Sequence, residues 1–94
     1  MREIEEQREQ QGIRRQIEQQ RAENAFGMVV DTVEGRCVIR NLLADCGVYA
    51  STYSPDTHMM AYKEGKRSVG LWILEQFSAF PDLYIKFLTE SPNE

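Results

Sequence analysis

Residues 31–47, DTVEGRCVIRNLLADCG, decide how this chain folds. Asp31-Thr32-Val33-Glu34 has the form of a capping box. In that motif a side-chain oxygen at the first position accepts from the amide three residues on, and the acid there reaches back. Val38, Ile39, Leu42, Leu43 and Cys46 follow at helical spacing. Gly47 then supplies the residue that most readily takes the left-handed conformation at a helix C-terminus. The stretch predicts a helix that starts near Thr32, buries those five side chains and ends at Gly47.

Upstream, residues 2–21 read REIEEQREQQGIRRQIEQQR, helix formers throughout apart from Gly12. Arg2 with Glu6, and Arg14 with Glu18, are i,i+4 pairs that support a helix by a few tenths of a kcal/mol each. The only apolar side chains in the first 21 residues are Met1, Ile4, Ile13 and Ile17. A helix this polar cannot bury itself on a core, so it bridges solvent, lies on a partner or frays, and partner binding is the favoured reading. The pattern Ile13, Ile17, Ala22, Ala25, Phe26, Val29, Val33 reads as one stripe carrying the helix unbroken from arm to core, ending near Val30. Ile4, Ile13, Ile17 and the neighbouring Arg14 are the candidate partner-binding residues.

Downstream, residues 48–54 read as a loop, and Ser54-Pro55 as the N-cap and first position of a third helix. Its apolar positions are Met59, Tyr62, Val69, Trp72, Ile73, Phe77 and Phe80. Gly65 and Gly70 inside it each cost about 1 kcal/mol relative to alanine, which points to a close approach of another helix or to a kink. Pro81 stops that helix and opens a fourth, Asp82 to Thr89, before a loose tail, SPNE. The fold class is therefore all-α: a compact bundle of three to four helices with a long, polar N-terminal helical arm. Residues 1–21 form the arm and residues 22–94 the small helical domain.

Composition narrows the function. The chain has 94 residues, 41% of them apolar, and a net charge of −4. Its first 21 residues balance five Arg against five Glu, so the acidity lies in the helical domain. There is no basic stripe able to neutralise several phosphates at once, which disfavours direct DNA binding. No apolar run approaches the roughly 20 residues of a membrane span, and no secretory leader is visible, so the cytoplasm of the producing cell is expected. Cys37 and Cys46, nine apart, point to opposite sides of one helix and are expected as two reduced thiols.

No constellation for catalysis stands out. His58 is the one histidine, and Cys37, Cys46 and His58 share no metal-ligand spacing. Nothing in the sequence brings Cys46 to His58 as nucleophile and base. Glu64, Asp45 and Glu75 read as carboxylates on solvated helix faces, and no glycine belongs to a phosphate-loop pattern. No enzyme activity, cofactor, metal or small-molecule ligand is expected. Glu64-Gly65-Lys66-Arg67 is the densest polar cluster of the domain, with Lys66 reading as solvated and Arg67 as a candidate partner for Asp45 or Glu34 across helices two and three.

Three segments carry a resemblance: Val33-Glu34-Gly35-Arg36; Leu42-Leu43-Ala44-Asp45-Cys46-Gly47-Val48-Tyr49; and Tyr62-Lys63-Glu64-Gly65-Lys66-Arg67-Ser68-Val69-Gly70-Leu71. With Pro81-Asp82, Tyr84 and Leu88, they make residues 32–88 similar to a family of small tailed-phage structural proteins typified by a minor virion protein of a Bordetella podophage. Members often carry Arg where this chain has Lys66, and the Gln-rich arm lies outside the match. The resemblance implies a virion or morphogenesis protein. It gives Asp45, Gly47, Gly65, Arg67 and Gly70 a structural meaning: the end of helix two packs on helix three at the glycines, with Arg67 or Lys66 near Asp45. The expected role is a multi-copy or ring-like virion component, bound through the N-terminal helix to portal, neck or ejection proteins in the head-tail connector region. The alternative is a transient morphogenesis or DNA-packaging accessory, scaffold-like or terminase-associated.

Overall fold

A computed structural model describes residues 2–90, and those residues form four α-helices and no strand. The expected tail at residues 91–94 lies outside the described residues. Helix α1 spans Arg2–Val30, α2 Val33–Asp45, α3 Thr57–Glu75 and α4 Pro81–Thr89, with a 3-10 turn over Gln76–Ala79 between the last two.

The corner between α1 and α2 is tighter than a capping box at Asp31 would make it. The Asp31 amide still closes on the Gly27 carbonyl at 3.0 Å, so this residue finishes α1. Thr32 caps α2 instead, its Oγ1 accepting from the Gly35 amide at 2.9 Å and donating to the Val29 carbonyl at 3.0 Å. With Thr32 as cap, the third helical position is Gly35, which has no side chain to reach back, and Glu34 is one residue too early to do so.

The C-terminus of α2 follows its sequence. Gly47 has φ +71°, the left-handed conformation. Its amide bonds to the Ala44 carbonyl at 3.0 Å and that of Val48 to Leu43 at 3.3 Å, the two bonds of a Schellman motif. The motif delivers Val48 into the core beside Leu43.

Helix α3 starts two residues later than Ser54-Pro55 suggested. Asp56 is the N-cap, its carboxylate accepting from the His58 and Met59 amides at 2.9 and 3.3 Å, while Ser54 accepts from the Asp56 amide in the preceding turn. The helix also ends early. Phe77 lies in the 3-10 turn and Phe80 just beyond it at φ −136°, ψ 66°, outside the α region that Pro81 disfavours for the residue before it. Pro81 itself is the first residue of α4.

The buried core is Val30, Ile39, Leu43, Val48, Phe77 and Phe87. Phe77 is its hub: its ring meets Phe26 edge-on at 5.0 Å, Phe87 at 5.0 Å and Tyr84 at 5.3 Å. Several side chains expected inside are outside. Of the α2 stripe only Ile39 and Leu43 are buried, while Val38 and Leu42 face solvent. On α3, Met59, Tyr62, Val69 and Trp72 are exposed, Trp72 at 62%. The reason is thickness. The molecule measures 55 × 38 × 17 Å, and a helix with side chains is about 10–12 Å across. At 17 Å the fold is only about two packed helices thick, at roughly 8–10 Å between axes, so the outward apolar flanks have nothing over them.

Helix α1 is continuous, as expected, but it does not carry one stripe. Every residue from Arg2 to Ala25 is exposed, and burial begins at Phe26 and Gly27. At about 100° per residue, the five-residue step from Ile17 to Ala22 turns the helix by about 140°. Ile13 and Ile17 therefore form a ridge roughly opposite the face that carries Ala22, Ala25, Phe26 and Val29, whereas Ile4 falls in line with Ala22. The radius of gyration, 18.0 Å, against roughly 12–13 Å for a compact chain of this length, registers the projecting arm.

Candidate functional site

The most heavily engaged polar group in the protein is Arg36. It is only 5% exposed. Its Nε and Nη2 donate to the two carboxylate oxygens of Glu90 at 2.7 and 3.2 Å, and Nη1 donates to the Val30 carbonyl at 2.8 Å. That carbonyl belongs to the last turn of α1 and has no helical partner of its own. Arg40, one turn on, donates to the Phe87 carbonyl at 3.0 Å, lies over the Phe87 ring and stands 3.6 Å from Glu90. One guanidinium pair thus fastens the end of α1 and the end of α4 to the same face of α2. The signal for Arg36 in the sequence is its spacing from Ile39 and Leu43, which puts it on the buried face of α2. Its acceptor was invisible in sequence because Glu90 is 54 residues away.

The pair has a pH signature. The Arg36 hydrogen bond, followed by the charges of Arg36 and Arg40, holds the Glu90 carboxyl below its ordinary value of 4.5, and the same hydrogen bond raises the Arg36 guanidinium further above its ordinary value. A carboxyl with a lowered folded-state pKa stabilises the fold fully above its unfolded value, and that contribution fades as pH falls through the folded value. Urea midpoints of the wild type are expected to fall more steeply below about pH 4.5 than those of Glu90→Gln. Parallel acid slopes would remove Glu90 from the account.

The residues expected to join α2 to α3 divide. A Cβ at Gly70 would overlap Cγ2 of Val48 and sit 2.9 Å from Cβ of Cys46, so the end of α2 does lie directly on α3 there. Gly47 makes the turn that permits it. Gly65 is not part of that contact, because a Cβ there meets open space. No ion pair joins Asp45 to Arg67 or Lys66. Among the described residues the ion pairs run from Arg36 and Arg40 to Glu90, and the Lys66 ammonium lies 5.4 Å over the Tyr62 ring instead. Gly65 is thus an exposed feature of α3 and Arg67 a half-buried one, both within about a turn and a half before the contact at Gly70. Both cysteines are free; Cys37 is exposed and Cys46 packs at the core edge.

Two residues with larger structural roles had no weight in the sequence reading. Gly35 abuts the end of α1, where any Cβ would overlap the Val29 carbonyl. Gly27 lies under the Phe80 ring. In each case the contact comes from the turn between elements, which periodicity does not describe.

The exposed apolar flanks gather into a groove of about 370 Å³, walled by Ala25, Phe26 and Val29 of α1, Leu42 of α2, and Trp72 and Ile73 of α3. It has no charged lining residue. A second, more polar groove shares Trp72 and Gln76 with it and carries Glu23 and Glu75. Ile4, Ile13, Ile17 and Arg14 are all exposed on the arm, away from these walls.

A family model for the Bbp19-like phage protein matches residues 26–88, two-thirds of the chain. The chain belongs to the Bbp19-like phage protein family. The Bbp19-like region begins at Phe26, where burial of α1 begins, and takes in Gly35, Arg36, the α2 Schellman turn, Gly70 and the aromatic hub. It leaves out the exposed arm and, at the other end, residues 89–94, among them Glu90 of the Arg36 pair. No curated protein and no solved structure matches the chain. No helix of the described residues is long and apolar enough to cross a membrane.

Proposed function

We propose that this phage protein is a non-catalytic, multi-copy component of the virion, held near the portal, neck or ejection apparatus through α1. The observation that carries the reading is the arm. Residues 2–25 form some 36 Å of helix at 1.5 Å per residue, with no residue buried in the protein's own core. An isolated polar helix gains little from propensity alone, and its stability in proteins comes from packing. Surface area supports the same reading. The chain exposes 7658 Å², whereas a compact protein of its mass exposes roughly 5,600 Å². The excess is of the order that a stable interface removes from water. The acidic helical domain and its uncharged groove suit protein surfaces better than DNA.

Mass spectrometry of purified particles is expected to detect the protein, and a variant lacking residues 2–21 is expected to be lost from them. Detection in procapsids or packaging complexes but not in mature particles would replace this reading with the transient morphogenesis or packaging role. Normal incorporation of the truncated variant would remove the arm as the docking element.

A further inference from the structure

The two faces of α1 are unlike each other, and each is unpartnered within the chain. One carries the Ile13–Ile17 ridge, flanked on one side by Arg14 and Arg21, which are seven residues apart and so nearly in line. The other, one to three turns on, walls the uncharged apolar groove, whose neighbouring rim bears Glu23 and Glu75. We propose that the groove of one copy receives the Ile13–Ile17 ridge of a second copy. The proposal builds on the multi-copy reading and specifies the contact between copies.

The fit rests on three features. Two isoleucines four residues apart are the anchors of a helix lying in a groove, and this groove offers Ala25, Val29, Leu42 and Trp72 as apolar walls. The charges are complementary: two arginines on the ridge flank, two glutamates and no basic residue on the more polar groove beside Trp72. The excess exposed area is enough for such a contact. Ridge and groove lie on opposite faces of the same helix, so a copy whose ridge is engaged still offers its groove. The contact is heterologous, and repetition gives a ring if the rotation closes or a filament if it does not.

Sedimentation velocity on the full chain tests this. The wild type is expected to form concentration-dependent species larger than a dimer. A ridge variant, Ile13→Glu with Ile17→Glu, and a groove variant, Trp72→Glu, are each expected to stay monomeric with unchanged helical circular dichroism, since all three residues are exposed. Mixed together they are expected to form a one-to-one dimer and nothing larger, because each retains the half that the other lacks. A second set needs no apolar change. Arg14→Glu with Arg21→Glu is expected to weaken association by about tenfold or more, and adding Glu23→Arg and Glu75→Arg to the same chain to restore it. A monomeric wild type, a groove variant that assembles like wild type, or a mixture that stays monomeric would overturn the proposal. If the wild type is monomeric yet found in particles, the contact between copies is wrong and the virion reading stands.

Discussion

Gly35→Ala is expected to destabilise the protein by roughly 3 kcal/mol or more, while the same change at Gly65 stabilises it by about 1 kcal/mol. Both glycines lie in α-helices, and both would be scored alike from helix propensity. At Gly35 the added methyl overlaps the Val29 carbonyl and crowds Oγ1 of Thr32, its own capping oxygen. The obstacle is backbone, which cannot swing aside as a side chain tip can, so the α1–α2 corner has to open. Opening it also parts Arg36 from the Val30 carbonyl. At Gly65 the methyl meets nothing, and only the gain in helix propensity remains. Paired urea titrations read the difference directly. Equal midpoints for the two variants would show that the corner tolerates the methyl and that the close approach does not constrain the fold.

Phe77→Ala is expected to cost about 3–5 kcal/mol, a large share of the roughly 5–14 kcal/mol that holds a chain of this length folded. The ring is 2% exposed and touches aromatic rings from α1 and α4. In a core of six buried apolar side chains there is little else to collapse into the space. Phe77→Leu, which keeps most of the volume, is expected to lose clearly less. Loss of cooperative thermal unfolding in Phe77→Ala, with the helical signal of α1 partly retained, is the anticipated form of the defect. An unchanged melting temperature would mean that the aromatic cluster does not hold the helices together.

The helices themselves were legible, and for local reasons. The i, i+3, i+4 recurrence of apolar residues, the left-handed glycine at 47 and the proline at 81 act through residues within one or two turns of each other. Caps were read to within two residues. Asp31 has the acid three residues on that completes a capping box in sequence, yet Thr32 caps α2 because the Asp31 amide remains committed to α1. Pairings across the fold were not legible. Arg67 with Asp45 was reasonable from charge and helix order, yet the buried cation is Arg36 and its acceptor is Glu90. Gly70 and Gly65 looked equivalent in sequence, and only one of them meets another element.

An all-helical chain, the continuity of α1 through residue 30, the stop at Gly47 and an arm too polar to fold onto its own core can all be read from the amino-acid order. All of these follow from short-range spacing and side-chain chemistry. Tertiary structure decided which apolar residues are buried, because a fold 17 Å thick covers one flank of each helix and leaves Trp72, Leu42 and Val29 facing outward. That Ile13 and Ile17 look away from that groove is already in their spacing, since Ile17 stands five residues before Ala22 on an unbroken helix. The sense of a helix face is set by the angle accumulated along an unbroken helix and by where its far end is anchored, here by Phe26, Val30 and the Arg36 clamp. That anchoring gives the arm its two faces and leaves both open to partners.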